Sequence, residues 1–134
     1  MRVVLDVNVL VSALLSGSGA PGRLIALWLE GAFELVVSEE LLAELERALA
    51  YPTLRKHISR EDAADFIAIL RAAASMVAGP ERPDHISRDP GDDYLLALAK
   101  ASASVLVSGD RDLLLLAPQL PIQDAGAFLE HLQR

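Results

Sequence analysis

Four acidic positions in this chain fall where carboxylates can do chemistry. Asp6 interrupts the apolar run "VVLDVNVLVSALL" (Val3–Leu15), and Asn8 follows two residues later. Glu44 lies inside "LLAELERAL", Asp92 inside "RDPGDDYLLALAK", and Asp110 inside "VSGDRDLL", with Asp112 beside it. Carboxylates brought together repel, and burying an unpaired charge is expensive. No matching set of Lys or Arg accompanies all four, so a shared site calls for divalent cations. Hard oxygen donors, with no cysteine and no His at ligand spacing, favour Mg²⁺ or Mn²⁺ over zinc. Such a site orients and deprotonates a water for attack on a phosphodiester and stabilises the leaving oxygen. Glycoside hydrolysis uses two carboxylates rather than four, and an aromatic content of 4% leaves little surface for sugar stacking.

Each acid also has an ordinary structural use. Asp6 and Asn8 suit turns and caps, since their side chains bond nearby backbone amides. Glu44 suits an exposed helix surface. Asp92 and Asp93 both suit the first turn of a helix, where they complement its dipole. Asp110 suits a cap, and Asp112 is read as a first-turn acid. Helical spacing separates some of these. Glu44 comes three residues after Leu41 and four before Ala48, so it borders the apolar stripe. Asp92 shares its side with Leu95, Leu96, Ala99 and Ala103, whereas Asp93 projects toward the side of Lys100 and is the solvated cap. His57, His85 and His131 fall in loop-like or terminal segments and are read as surface residues.

The elements that must position these acids alternate. Strands are expected at Arg2–Leu5, Phe33–Val37 and Ser104–Ser108, with a brief one in "PIQD" (Pro121–Asp124). "SGSGAPG" (Ser16–Gly22) is a loop, followed by a helix over 23–30 that Gly31 ends. Ser38 caps a helix carrying Leu41, Leu42, Leu45 and Leu49. Further helices are expected over about 60–76, 92–103, a short one within 109–116, and 125–132, with a turn at 87–91. The strands are continuous apolar runs, as when both faces are covered. The expected fold is α/β with a mostly parallel sheet. In such sheets sites form at the carboxyl ends of strands, where Asp6, Asp110 and the helix bearing Glu44 fall.

Composition narrows the class. The 134 residues are the size of one domain, and no repeat, low-complexity segment or linker divides residues 1–134. A 52% hydrophobic fraction and a mean hydropathy of +0.33 exclude a disordered chain. No apolar run reaches about 18 residues, the length of a membrane span. The N-terminus does not read as a signal peptide. The absence of cysteine excludes disulfides and thiolate metal sites and fits a cytoplasmic setting. A net charge of −7 excludes a nonspecific nucleic-acid coat, but not an enzyme that acts on nucleic acid through an acidic metal site. Arg23, Arg55, Lys56 and Arg60 are either rim positives that guide a phosphate backbone or scattered solubilising charge. Trp28 belongs to the core or to a dimer interface.

Four segments carry a resemblance to a known family: "VVLDVNVLVSALL", "VVSEELLAELERAL", "RDPGDDYLLALAKASASVLVSGDRDLL" and "PIQDAGAFL". Together they span nearly the whole chain. The sequence resembles the PIN-domain ribonucleases, in particular the small prokaryotic VapC-like toxins of toxin–antitoxin pairs. The resemblance implies a three-layer α/β/α fold with a central parallel sheet of about five strands. It implies that Asp6, Glu44, Asp92 and Asp110 are catalytic and hold Mg²⁺ or Mn²⁺. Ala99 sets the register that matches Asp92, rather than Asp93, to the family's acid. Asn8, Ser12, Ser38, Asp93 and Asp112 then lie around the site, contacting substrate, metal-bound water or the ligands themselves. Ser38 serves equally as an ordinary cap. Asp6 would end the central strand, and Asn8 would fix the next turn by hydrogen bonding. The resemblance further implies cleavage of RNA, a homodimer, and inhibition by a small antitoxin protein. A receiver domain needs an acidic pair after the first strand and a Lys near the site, and a haloacid-dehalogenase phosphatase needs Asp-x-Asp where this chain has Asp-x-Asn. A noncatalytic RNA- or protein-binding module on the same fold stays open; metal-dependent turnover separates it from the enzyme.

Overall fold

Val3, Val4 and Leu5 are consecutive and all buried, so the first strand is covered on both faces. A computed structural model describes residues 1–78, 93–117 and 119–134. The chain runs through β1 (Arg2–Leu5), α1 (Val7–Leu15), α2 (Ala20–Leu29), β2 (Glu34–Val37), α3 (Glu39–Leu49), α4 (Pro52–Arg55) and α5 (Arg60–Ala73). It continues through β3 (Ser75–Met76), α6 (Asp93–Ala101), β4 (Val105–Val107), α7 (Arg111–Leu114), β5 (Ile122–Gln123) and α8 (Ala125–Leu132). The five strands form one sheet in the order β3-β2-β1-β4-β5, and every pairing is parallel. Leu35, Val36 and Val37 of β2 and Leu106 and Val107 of β4 are buried in succession too. Helices therefore cover both sheet faces, giving the expected three-layer α/β/α arrangement.

Local signals set most helix boundaries. Ser38 Oγ accepts from the Leu41 amide at 3.2 Å and starts α3, whose buried stripe is Leu41, Leu42, Leu45 and Leu49. Ser59 Oγ accepts from the Asp62 amide at 3.0 Å and starts α5, which buries Ala63, Phe66 and Leu70. Asp124 caps α8, where Phe128 meets Phe33 edge-on at 5.7 Å between ring centroids. Trp28 is buried in the core. Among the described residues no single helix is long and apolar enough to cross a membrane; the apolar pair α1 and α2 turns through 95°.

Several elements differ from expectation. The helix expected from Arg23 begins at Ala20, with Pro21 in its first turn, where a missing amide costs nothing. The helix expected to reach about Met76 stops at Ala73, because Ser75 and Met76 pair with Val36 and Val37 at the sheet edge. The four-residue α4 after Tyr51 was not expected. The strand at 104–108 contracts to Val105–Val107, and the helix before it ends at Ala101 rather than Ala103. The expected turn at 87–91 lies outside the described residues.

Ala103 closes α6 in the left-handed region, at φ 53°. The Ser104 amide bonds the Ala99 carbonyl at 2.8 Å and the Ala103 amide bonds that of Lys100 at 3.2 Å, a helix-ending pattern that usually employs glycine. Left-handed backbone costs a residue with a Cβ about 1–2 kcal/mol. Glycine also gives up about 0.4–1 kcal/mol through the freer unfolded chain. Ala103→Gly should therefore be neutral or stabilising by up to about 1 kcal/mol, and Ala103→Val destabilising by more than about 1 kcal/mol. Denaturant midpoints would check both, and a clear loss of stability in Ala103→Gly would contradict the strain.

Candidate active site at the carboxyl end of the sheet

The site grows out of strand register. Leu5 pairs with Val107, so Asp6 and Ser108 leave the sheet side by side. The Asp6 amide donates to the Val107 carbonyl at 2.9 Å, which carries the ladder one residue beyond the strand. Helix α1 begins immediately, and the Asp6 carbonyl accepts from the amides of Val9 and Leu10. The Asp6 carboxylate lies within reach of the Asn8 backbone amide in the first turn of that helix. It also meets Ser108, whose hydroxyl donates to Asp6 Oδ2 at 2.6 Å. Ser108 Oγ in turn accepts from the Asp110 amide at 3.0 Å, and Asp110 Oδ1 accepts from the Asp112 amide at 2.8 Å, capping α7. One chain of hydrogen bonds thus joins Asp6 to the loop that carries Asp110.

Glu44 arrives from the other neighbour of β1. It stands on α3, which starts directly after β2, and is half-buried at the border of that helix's apolar stripe. The Tyr94 hydroxyl of α6 donates to Glu44 Oε2. Asp6 is close enough to feel both Glu44 and Asp110. Burial pushes the Asp6 carboxyl above its ordinary value of 3.8, and the Glu44 and Asp110 charges add to that push. The Ser108 hydroxyl and the Asn8 backbone amide act in the opposite direction. Burial, and then the bond to Glu44, push the Tyr94 phenol far above its usual range, so it serves only as a donor.

The other expected positions divide. Asn8 and Ser12 are exposed on successive turns of α1 and line a pocket of about 150 Å³ with Val9, Pro21, Gly109 and Ala125. At this turn the Asn8 backbone amide favours the Asp6 charge, and the Asp6 carbonyl accepts from the amides of Val9 and Leu10. Ser38 is buried and its oxygen caps α3, the ordinary use it was also given. Asp112 is half-buried in the first turn of α7. Asp92 lies outside the described residues, and Asp93 opens α6 with its side chain likewise outside them. Arg55 does not line the acidic end; it borders a small cavity with Glu46 and Arg60. Ser108 and Tyr94 were not singled out from sequence. Ser108 ends its strand two residues before Asp110, and Tyr94 follows the Asp92–Asp93 pair, so position was their signal.

The donor set suits a hard cation. All its atoms are oxygen, and the buried Asp6 carboxylate feels two further acids, with no cation among the causes of its shift. The described ion pairs, Arg2 with Glu34 and Arg71 with Glu39, lie elsewhere. Among the described residues no three Asp, Glu or His side chains form a ready metal cage. Mg²⁺ does not require one, since it binds through one or two carboxylates and keeps waters or phosphates as its other ligands.

The raised Asp6 pKa has a consequence for the metal-free protein. Folding favours the protonated carboxyl, so this group's contribution is greatest below 3.8 and is lost as pH rises through the folded value. Asn accepts the Ser108 bond without a charge. In chelator at pH 7, Asp6→Asn should melt higher than wild type by roughly 2–6 °C. The gap should close toward pH 4, as wild-type Asp6 takes up its proton. Calorimetric melts across pH would show this; a variant less stable at every pH would contradict it.

Comparison with known proteins places this geometry. A family model described as the PIN domain matches residues 2–112. An uncharacterized protein, MJ1680 of Methanocaldococcus jannaschii, is 29% identical over 116 residues, covering 87% of this chain and 75% of that protein. The fold is similar to VapBC2 of Rickettsia felis, solved bound to a DNA fragment from their promoter, with a TM-score of 0.65 at 16% identity over 92% of this chain and 98% of that one. It is also similar to PAE2754 of Pyrobaculum aerophilum, with a TM-score of 0.68 at 17% identity over 99% of this chain and 90% of that one. With the match running from β1 into α7, across both strand ends that bear Asp6 and Asp110, this chain belongs to the PIN domain family.

Proposed function

We propose that this chain works as a single PIN domain and is a Mg²⁺- or Mn²⁺-dependent endoribonuclease, the toxin of a toxin–antitoxin pair. The observation that carries the proposal is the buried Asp6 carboxylate at the end of the central strand, beside Glu44 and Asp110 and without a paired cation. PIN domains are generally nucleases, which supports the reaction class. Asp6, Glu44, Asp92 and Asp110 would hold the metal. Bound there, a divalent cation supplies an activated water and charge neutralisation at the phosphodiester. Asp6 is kept in place by Ser108, and Glu44 by Tyr94, so neither has to reorganise when substrate arrives. Asn8 and Ser12 would offer polar groups to the RNA from the adjoining pocket. The likeness to VapBC2 is in keeping with a small antitoxin partner. A homodimer and a cytoplasmic setting complete the proposal.

Purified protein should cut a mixed RNA pool with Mn²⁺ or Mg²⁺ and not with chelator. Loss of an outer-shell partner typically costs ten- to a hundredfold, so Asp6→Asn and Glu44→Gln should each lower the rate by more than about a hundredfold. Gel analysis of the cleaved RNA gives the rates. Cutting that survives in Asp6→Asn would remove the enzymatic case. Metal binding without any cutting would move weight to the noncatalytic binding module.

A further inference from the structure

We propose that Tyr94 is a positioning residue: it occupies one oxygen of Glu44, leaves the other for a cation, and so tunes the site toward Mg²⁺ or Mn²⁺ and against Ca²⁺. This rests on Glu44 being a metal ligand. The hydroxyl donates to Glu44 Oε2 across 50 positions of sequence, linking α6 to α3. The two partners differ in freedom. The Tyr94 ring is only 5% exposed, whereas Glu44 is half-buried on a helix edge. The ring is thus the fixed partner, and the longer, more flexible Glu side chain is the one held.

A phenylalanine would fill the same space without a hydroxyl to desolvate. The hydroxyl needs a partner at this depth, and Glu44 provides it, so the net gain in stability is small. Its distinctive effect falls on the carboxylate. With Oε2 accepting from Tyr94, Glu44 is biased to present Oε1 alone. Mg²⁺ demands near-octahedral coordination by single oxygens, whereas Ca²⁺ takes six to eight ligands and accepts both oxygens of one carboxylate. A carboxylate tied by one oxygen therefore discriminates by ion size. Neither Leu41 nor Leu45, the buried neighbours of Glu44 on α3, can supply such a tie.

The test is Mn²⁺ binding, read by the electron paramagnetic resonance of free Mn²⁺, with Ca²⁺ as competitor. It compares wild type, Tyr94→Phe, Glu44→Gln and the double variant, with melting curves alongside. Tyr94→Phe keeps the ring and should melt within a few degrees of wild type. Its Mn²⁺ affinity should fall about ten- to a hundredfold. Its affinity for Ca²⁺ relative to Mn²⁺ should rise, a change that loss of packing alone would not produce. In the Glu44→Gln background, removing the hydroxyl should change neither quantity further. If Tyr94→Phe matches wild type while Glu44→Gln weakens binding, the role given to Tyr94 is overturned and the metal site stands. Equal losses from Tyr94→Phe with and without Glu44 would overturn it as well. If wild type binds no Mn²⁺, or Glu44→Gln binds as well as wild type, both the positioning role and the nuclease assignment beneath it fail.

Discussion

Asp6 is a buried carboxylate at the end of the central strand, and burial opposes its charge. The Ser108 hydroxyl bonds its side chain directly, and the Asn8 backbone amide also favours its charge. Register makes that bond available: Leu5 against Val107 sets Asp6 beside Ser108, and the Asp6 amide closes on the Val107 carbonyl. A slip of one residue would turn Asp6 to the other face of the sheet and bring an apolar residue to the site. That slip would also break the ion pair of Arg2 with Glu34 and the Arg2 bond to the Ser102 carbonyl. The position of one charge is therefore secured by pairings along the whole central strand.

The rest of the site follows from what flanks β1. On one side β2 leads through the Ser38 cap into α3 and brings Glu44. On the other, β4 leads through Ser108 into the Asp110-capped α7. The first connection is the single residue Ser38 and the second is the three residues 108–110, so the carboxylates gain little freedom from their backbones. Parallel strands send all these connections out at the same end, which is why acids distant in sequence converge. The repulsion that results raises the Asp6 pKa and costs the folded chain stability at neutral pH. Hydrogen bonds from Ser108 and Tyr94 hold two of the acids without neutralising them.

Much of this was legible in the chain. Apolar runs mark β1, β2 and β4, Ser38 and Ser59 mark two helix starts, and the helix expected from 125 begins at Ala125. Facial spacing drew Glu44 to the edge of its helix's apolar stripe, where it lies half-buried. What escaped was decided by partners distant in sequence. Ser75 and Met76 extend because β2 offers an open edge, although the segment before them is helical by local preference. Ser108 reads as one more residue of a strand until Asp6 is set beside it. Tyr94 reads as an ordinary core aromatic, because nothing within its own helix reveals that its hydroxyl meets Glu44 50 positions away. The assignment of Asp92 over Asp93 concerns a side chain outside the described residues.

Crystals grown with Mn²⁺ and measured for anomalous scattering would address the central claim most directly. The predicted result is a Mn²⁺ peak at the carboxyl end of β1, with oxygens of Asp6 and Glu44 about 2 Å away. No peak there at saturating Mn²⁺, with Asp6 still bonded to Ser108, would contradict it.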